Sequence, residues 1–253
     1  MKKIIFYMLM ASVLVTTIGM AQSGEGIITY EMKINMHRNL PKDREDLKAM
    51  IPEFNTTNFT LAFNGAESLY KVLEDEGEDV ENFTGGGGGG PRMMMRRMMQ
   101  GESYLNTGEP VTTMKQEFMG KEYLIEDSVK LVPWKFGTET RTVAGYPCKM
   151  AYYTDESRPD RKQEITAWYT DKLRPFLGPE RFNTLPGAVL AVDINGGDRV
   201  FVAKKIDLRT LKKNELKKPS SGTKITGKEF RTMMENQMKE MRRQGGGNFI
   251  IRN

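Results

Sequence analysis

The 253-residue sequence predicts a mainly β fold: an antiparallel meander curled into a half-barrel or open sandwich, with a short N-terminal helix and a C-terminal amphipathic helix. Three observations carry this. Short runs of alternating apolar and polar side chains recur between Gly26 and Asp207, the period-2 pattern of strands with one face buried. Turn residues such as Asn64-Gly65, Met119-Gly120-Lys121 and Asn195-Gly196-Gly197 separate several of these runs, and such short connections join antiparallel neighbours. Near the C-terminus the period changes to that of a helix.

The elements follow in order. Lys2 and Lys3, the apolar run Ile4 to Ile18, and small residues at Gly19 and Ala21 make residues 1–21 a secretory signal peptide, too short and wrongly flanked for a membrane span. No cysteine follows the cleavage point, which argues against a lipoprotein anchor. GIITYEMKINMHR, from Gly26, reads as a first strand. In PKDREDLKAMIPEF, Leu47, Met50 and Ile51 share one helical face until Pro52 stops the helix. TNFTLAFNG and ESLYKVLED form a hairpin around Asn64-Gly65, because both turn residues tolerate positive φ. Residues 75–101, acidic at first and then glycine- and methionine-rich, have no apolar periodicity and read as a mobile loop within one β-rich domain, 22–253. SYLNT, TTMKQEFM, KEYLIED, KLVPWKF, YPCKMAYYT, KQEITAWYT, GAVLAVDIN and DRVFVAKKID continue the meander. AVLAV is apolar throughout, as expected of a strand buried on both faces. Thr226 or the preceding loop can cap a helix in which Phe230, Met233, Met234, Gln237, Met238 and Met241 crowd one face, and NFII can add a last strand.

Charge and residue usage narrow the function. The formal charge is +5, or +3 without Lys2 and Lys3, and basic residues mostly sit beside acidic ones. That is not a nucleic-acid footprint. No later apolar run approaches the roughly 18 residues of a spanning helix, so no transmembrane segment is expected in the mature chain. His37 and Cys148 are the only histidine and cysteine. A lone thiol forms no disulfide framework, and burial as a small apolar residue suits it. No phosphate-binding loop, dinucleotide fingerprint, H-E-x-x-H or C-x-x-C motif is present. The expectation is a non-enzymatic protein with no required cofactor.

The loop holds the sharpest metal candidate. Met93, Met94, Met95, Met98 and Met99 place five thioethers within seven residues, after six glycines. Thioether sulfur suits Cu(I), whereas Arg92, Arg96 and Arg97 repel a cation and fit an anionic surface instead. A spacer or partner-capturing loop is the third alternative.

Between Trp134 and Asn195 the sequence runs through Trp134, Gly145-Tyr146-Pro147-Cys148, Ala167-Trp168-Tyr169-Thr170, Gly178-Pro179 and Leu185-Pro186-Gly187. With Phe63 to Val72 and Thr226 to Phe230, these segments resemble the GLPGLI family of exported Bacteroidetes proteins. The naming motif departs at Thr184, Ala188 and Val189. The resemblance implies export to the periplasm or cell surface, carries no catalytic set, and is associated with TonB-dependent outer-membrane transport. Asp127-Ser128-Val129 resembles the O-glycosylation site of such proteins, with Ser128 as acceptor. The resulting expectation is an exported cell-envelope binding or accessory protein that takes a hydrophobic ligand or a protein partner. The alternative is a periplasmic Cu(I)-binding protein.

Overall fold

The computed structural model describes residues 24–40, 45–73, 101–109, 111–158 and 161–243. Twelve strands form one sheet: β1(Gly26–Asn35), β2(Phe54–Phe63), β3(Glu67–Val72), β4(Glu102–Asn106), β5(Val111–Phe118), β6(Lys121–Ser128), β7(Lys135–Val143), β8(Tyr146–Arg158), β9(Arg161–Thr170), β10(Ala188–Ile194), β11(Arg199–Asp207) and β12(Thr223–Thr226). One helix, α1(Gly227–Arg243), follows. The strand order is β12-β6-β5-β4-β3-β2-β1-β11-β10-β9-β8-β7, an open sheet. Every pairing is antiparallel except β12 with β6.

The expected mainly β class stands, with two local corrections. Of the short helix expected before Pro52, the described residues show a five-residue 3-10 helix, Glu45–Ala49. Met50, one of the three apolar residues of the expected helical face, is 77% exposed. Pro52 stops the turn too soon for a second hydrogen-bonded turn to repay nucleation. The KLVPWKF run is not a strand along its length: β7 begins at Lys135 and continues into the polar GTETRTV. The signal-peptide segment, Met93 to Met99, the rest of the 75–101 loop before Gly101, and NFII lie outside the described residues.

Two irregular connections cover the two faces of the sheet. On the first face lie Ile28, Tyr30 and Met32 of β1, Phe59, Leu61 and Phe63 of β2, Val192 and Ile194 of β10, and Phe201 of β11, all buried. The connection from β9 to β10, residues 171–187, packs Leu173, Leu177, Phe182 and Leu185 onto them. On the opposite face, Ala62, Leu69, Tyr104 and Thr113 are cross-strand partners in one row and are buried. The connector 208–222 passes over this side. Leu211 N–H reaches Glu25, the Lys218 ammonium lies 5.7 Å from the Tyr104 ring centroid, and Ser221 Oγ donates to Glu122. Its length is set by topology. Joining β11 to β12 means passing six strands, about 34 Å at sheet spacing, within reach of fifteen extended residues.

At the β12 end, α1 docks Phe230 against Phe118 and Ile125 in a small second core. At the other end, β7 touches β11 although β8, β9 and β10 lie between them in the order. Val189, Leu190 and Ala191 of β10 are accordingly buried on both faces.

Candidate functional site

The segment 171–187 and the strands beneath it bring together most of the residues singled out above. Trp134, just before β7, donates from Nε1 to Thr184 Oγ1 at 3.0 Å, and its ring meets Tyr153 edge-on at 4.6 Å. Gly145 has φ +83° beside Ala144 at +49°, forming the two-residue turn between β7 and β8, where the left-handed region favours glycine. Tyr146 is half-buried against the core, and the Cys148 thiol donates to the Tyr146 carbonyl at 3.4 Å. Burial pushes the Cys148 thiol up, while a backbone bond from Val143 and the charge of Arg141 oppose this.

Alternation along β9 sends Ala167 and Tyr169 to the first face and Trp168 to the other. Ala167 is fully buried. Tyr169 lies 6.1 Å from Phe136. Trp168 carries the Arg141 guanidinium 4.4 Å above its ring. Thr170 ends the strand buried, its hydroxyl accepting from Lys172 N–H.

Leu-Pro-Gly closes the segment. Leu185 is buried and Pro186 is exposed. A Cβ on Gly187 would overlap the Thr170 carbonyl, so only glycine permits this approach. Gly178 likewise sits against the Phe182 carbonyl, and Phe182 N–H bonds the Pro179 carbonyl at 3.0 Å across a turn with Glu180 at φ +48°.

Long-range polar contacts fix this arrangement, and sequence reading missed them. Tyr30 hydroxyl donates to the Val189 carbonyl at 2.7 Å, where a β-bulge at Leu190 breaks the register with β9. Val189 N–H in turn bonds the Leu177 carbonyl. Arg174 donates to the Asn64 and Glu67 carbonyls, both at 2.7 Å, tying the segment to the β2–β3 hairpin. Burial pushes the Arg174 guanidinium down, to about 10, so it remains charged at neutral pH. Arg199 reaches Glu180 at 3.4 Å. Tyr70 hydroxyl, buried near both, has no hydrogen-bond partner among the described residues. Glu67 accepts from Tyr104 and Asn64, and these bonds hold its carboxyl below the usual range. No local pattern signals such pairs, because Tyr30 and Val189 are 159 positions apart.

The remaining candidates stand apart. His37 Nε2 bonds the Ile51 carbonyl at 2.8 Å, so it is not a partner of the Cys148 thiol. Ser128 is exposed at the end of β6. Among the described residues, no group of three His, Cys, Asp or Glu side chains is placed to hold a metal ion. No described helix is long and apolar enough to cross a membrane.

Tyr30 and Arg174 therefore hold backbone, through carbonyls at a bulge and a hairpin. No family model matches the chain, and no curated protein matches it. Its fold is similar to that of PNGF-II in crystals of space groups P21 and C2, with TM-scores of 0.55 and 0.54 at 16% identity. The match covers 83% of this chain but 33% and 32% of the PNGF-II chains. The likeness is one of fold, and this chain spans about a third of PNGF-II's length.

Proposed function

We propose that the chain is an exported, non-enzymatic binding or accessory protein of the cell envelope, related to the GLPGLI family, with its sheet curled as a half-barrel. The contact between β7 and β11 supports the curl. On this reading the partner is a protein rather than a hydrophobic ligand; the packing of segment 171–187 on the apolar face supports that choice.

One observation carries the reading. β7 is an edge strand of nine residues, and only Val143 among them is buried. An open edge presents unpaired N–H and C=O groups to an incoming strand. Residues 137–139 interrupt the pairing register with β8, so a proline at 138 disturbs the outer edge without removing a partnered position. The partner on this reading is an envelope protein, with TonB-dependent transport the system that the family resemblance points to.

The test is affinity recovery from native envelope extract with wild type and Thr138→Pro, followed by mass spectrometry. A partner held by wild type and lost by the variant supports strand addition. Equal recovery by both, or none by either, sinks it. The same spectra decide whether Ser128 carries a glycan. The Cu(I) alternative rests on the five thioethers of Met93 to Met99. It requires Cu(I) affinity in a chelator competition that disappears when all five become leucine.

A further inference from the structure

The chain carries a net charge of +5, but that charge is not evenly spread. Between Lys204 and Lys228 there are nine lysines and arginines against two carboxylates, a net +7, so the remainder of the chain is net −2. This stretch holds the connector that crosses the sheet face opposite segment 171–187. Within it, Arg209 forms a bidentate pair with Glu215 at 2.8 and 2.7 Å, and Asp207 also turns to Arg209 at 3.2 Å. Glu215 further accepts from Lys212 N–H at 2.5 Å. Both carboxylates are thus committed to one arginine, in a clasp that fixes the turn. Lys212, Lys213, Lys217 and Lys218 are left exposed. Among the described residues, no carboxylate lies within ion-pair distance of the Lys212, Lys213 or Lys217 ammonium groups, and Lys218 has only Glu109, at 3.9 Å. Pro219 is buried behind them, anchoring the far end.

We propose that this connector is a polybasic face that adsorbs to an anionic lipid surface. The chemistry favours lipid over a specific polymer. Lysine ammonium is a hydrated point charge suited to a diffuse field of phosphates, whereas bidentate reading of single groups calls for arginine, and the one arginine here is occupied. No aromatic residue occurs between Leu208 and Gly222, so there is no platform for stacking the bases of a single strand. Leu211 and Leu216 are partly buried, so the exposed residues are polar and the face adsorbs at headgroup depth without inserting. Lysines near an anionic membrane contribute about 1 kcal/mol each, or roughly fivefold in partitioning, and salt screens the attraction. This surface is independent of the β7 reading, and Thr138→Pro leaves it intact.

The experiment is sedimentation of the mature protein with phosphatidylcholine vesicles made with and without phosphatidylglycerol, at low and high salt. Wild type is expected to bind only the phosphatidylglycerol vesicles and to be released by salt. Changing Lys212, Lys213 and Lys217 to glutamine, with Lys218 left in place over the Tyr104 ring, should abolish binding with the urea midpoint unchanged. Changing Lys48, Lys162 and Lys172 to glutamine removes the same charge elsewhere and should leave most of the binding. Three results overturn the proposal: no binding by wild type, equal loss in both variants, or tighter binding to polyglutamate or an oligonucleotide than to the vesicles.

Discussion

Two tyrosine hydroxyls, both buried, separate a polar group that stabilises from one that does not. Tyr30 satisfies the Val189 carbonyl at the β10 bulge, while Tyr70 hydroxyl has no partner among the described residues. Removing one partner of a buried bond costs about 1–3 kcal/mol, whereas deleting an unpaired polar group does not. Tyr30→Phe is therefore expected to lower the urea midpoint, and Tyr70→Phe to leave it unchanged or raise it. Equal losses in the two variants would contradict the assignment. Glu215 makes a second prediction, in pH. Its bonds to Arg209 hold the carboxyl down, from 4.5 to about 2. A depressed folded pKa means stability that is present above the unfolded value and lost as protons bind the folded state. The difference in midpoint between wild type and Glu215→Gln should thus be full at pH 7 and shrink as pH falls from 4.5 toward about 2. A difference that persists below that window would place the effect outside the ion pair.

At the scale of elements, α1 is joined to the sheet by a reciprocal cap. Thr226 N–H donates to Glu229, and Glu229 N–H donates to Thr226 Oγ1 at 3.2 Å. Thr226→Ala should cost about 0.5–2 kcal/mol of helix stability. The readout is faster amide exchange across α1 with little change in β8 to β10. The helix was legible because Phe230, Met233 and Met234 repeat on one face. The turn at Met119-Gly120 was legible from Gly120, whose φ of +75° favours glycine. The turn at Asn64-Gly65 was legible as a turn, but its reason is not positive φ, which neither residue has: Asn64 Oδ1 accepts from the Ala66 and Glu67 N–H groups. β7 was not legible as a strand. With Val143 its one buried residue, β7 has no apolar alternation to display, so the apolar KLVPWKF drew the assignment too early. β12, four residues long and mostly exposed, gave no signal either. Segment 171–187 was the largest gap. Its Leu-Pro-Gly and Gly-Pro residues marked close backbone approach, but neither spacing nor period says which backbone is approached. The same holds for Arg174, whose partners lie 107 and 110 positions away.

Across the whole molecule, stability should be graded along the strand order. β10 is covered on both sides and buried along all but Asp193, and the C-terminal half of β9 beside it is largely buried. β12 and α1 rest on a core of three buried residues and on the sheet's one parallel pairing, which is the weaker kind per residue. Native-state hydrogen exchange is expected to open β12 and α1 first and β10 last. A single uniform opening energy across the sheet would show that the small core is not a separate unit. The strand order has a further consequence, in time. β1 lies between β2 and β11. Its hairpin partner follows at once, but its other neighbour ends only at Asp207. A chain emerging N-terminus first carries one bare edge of β1 until β11 has appeared. The early hairpins wait, half-zipped, for late-made strands to lock them, and any factor that shields nascent chain would find its substrate in that interval.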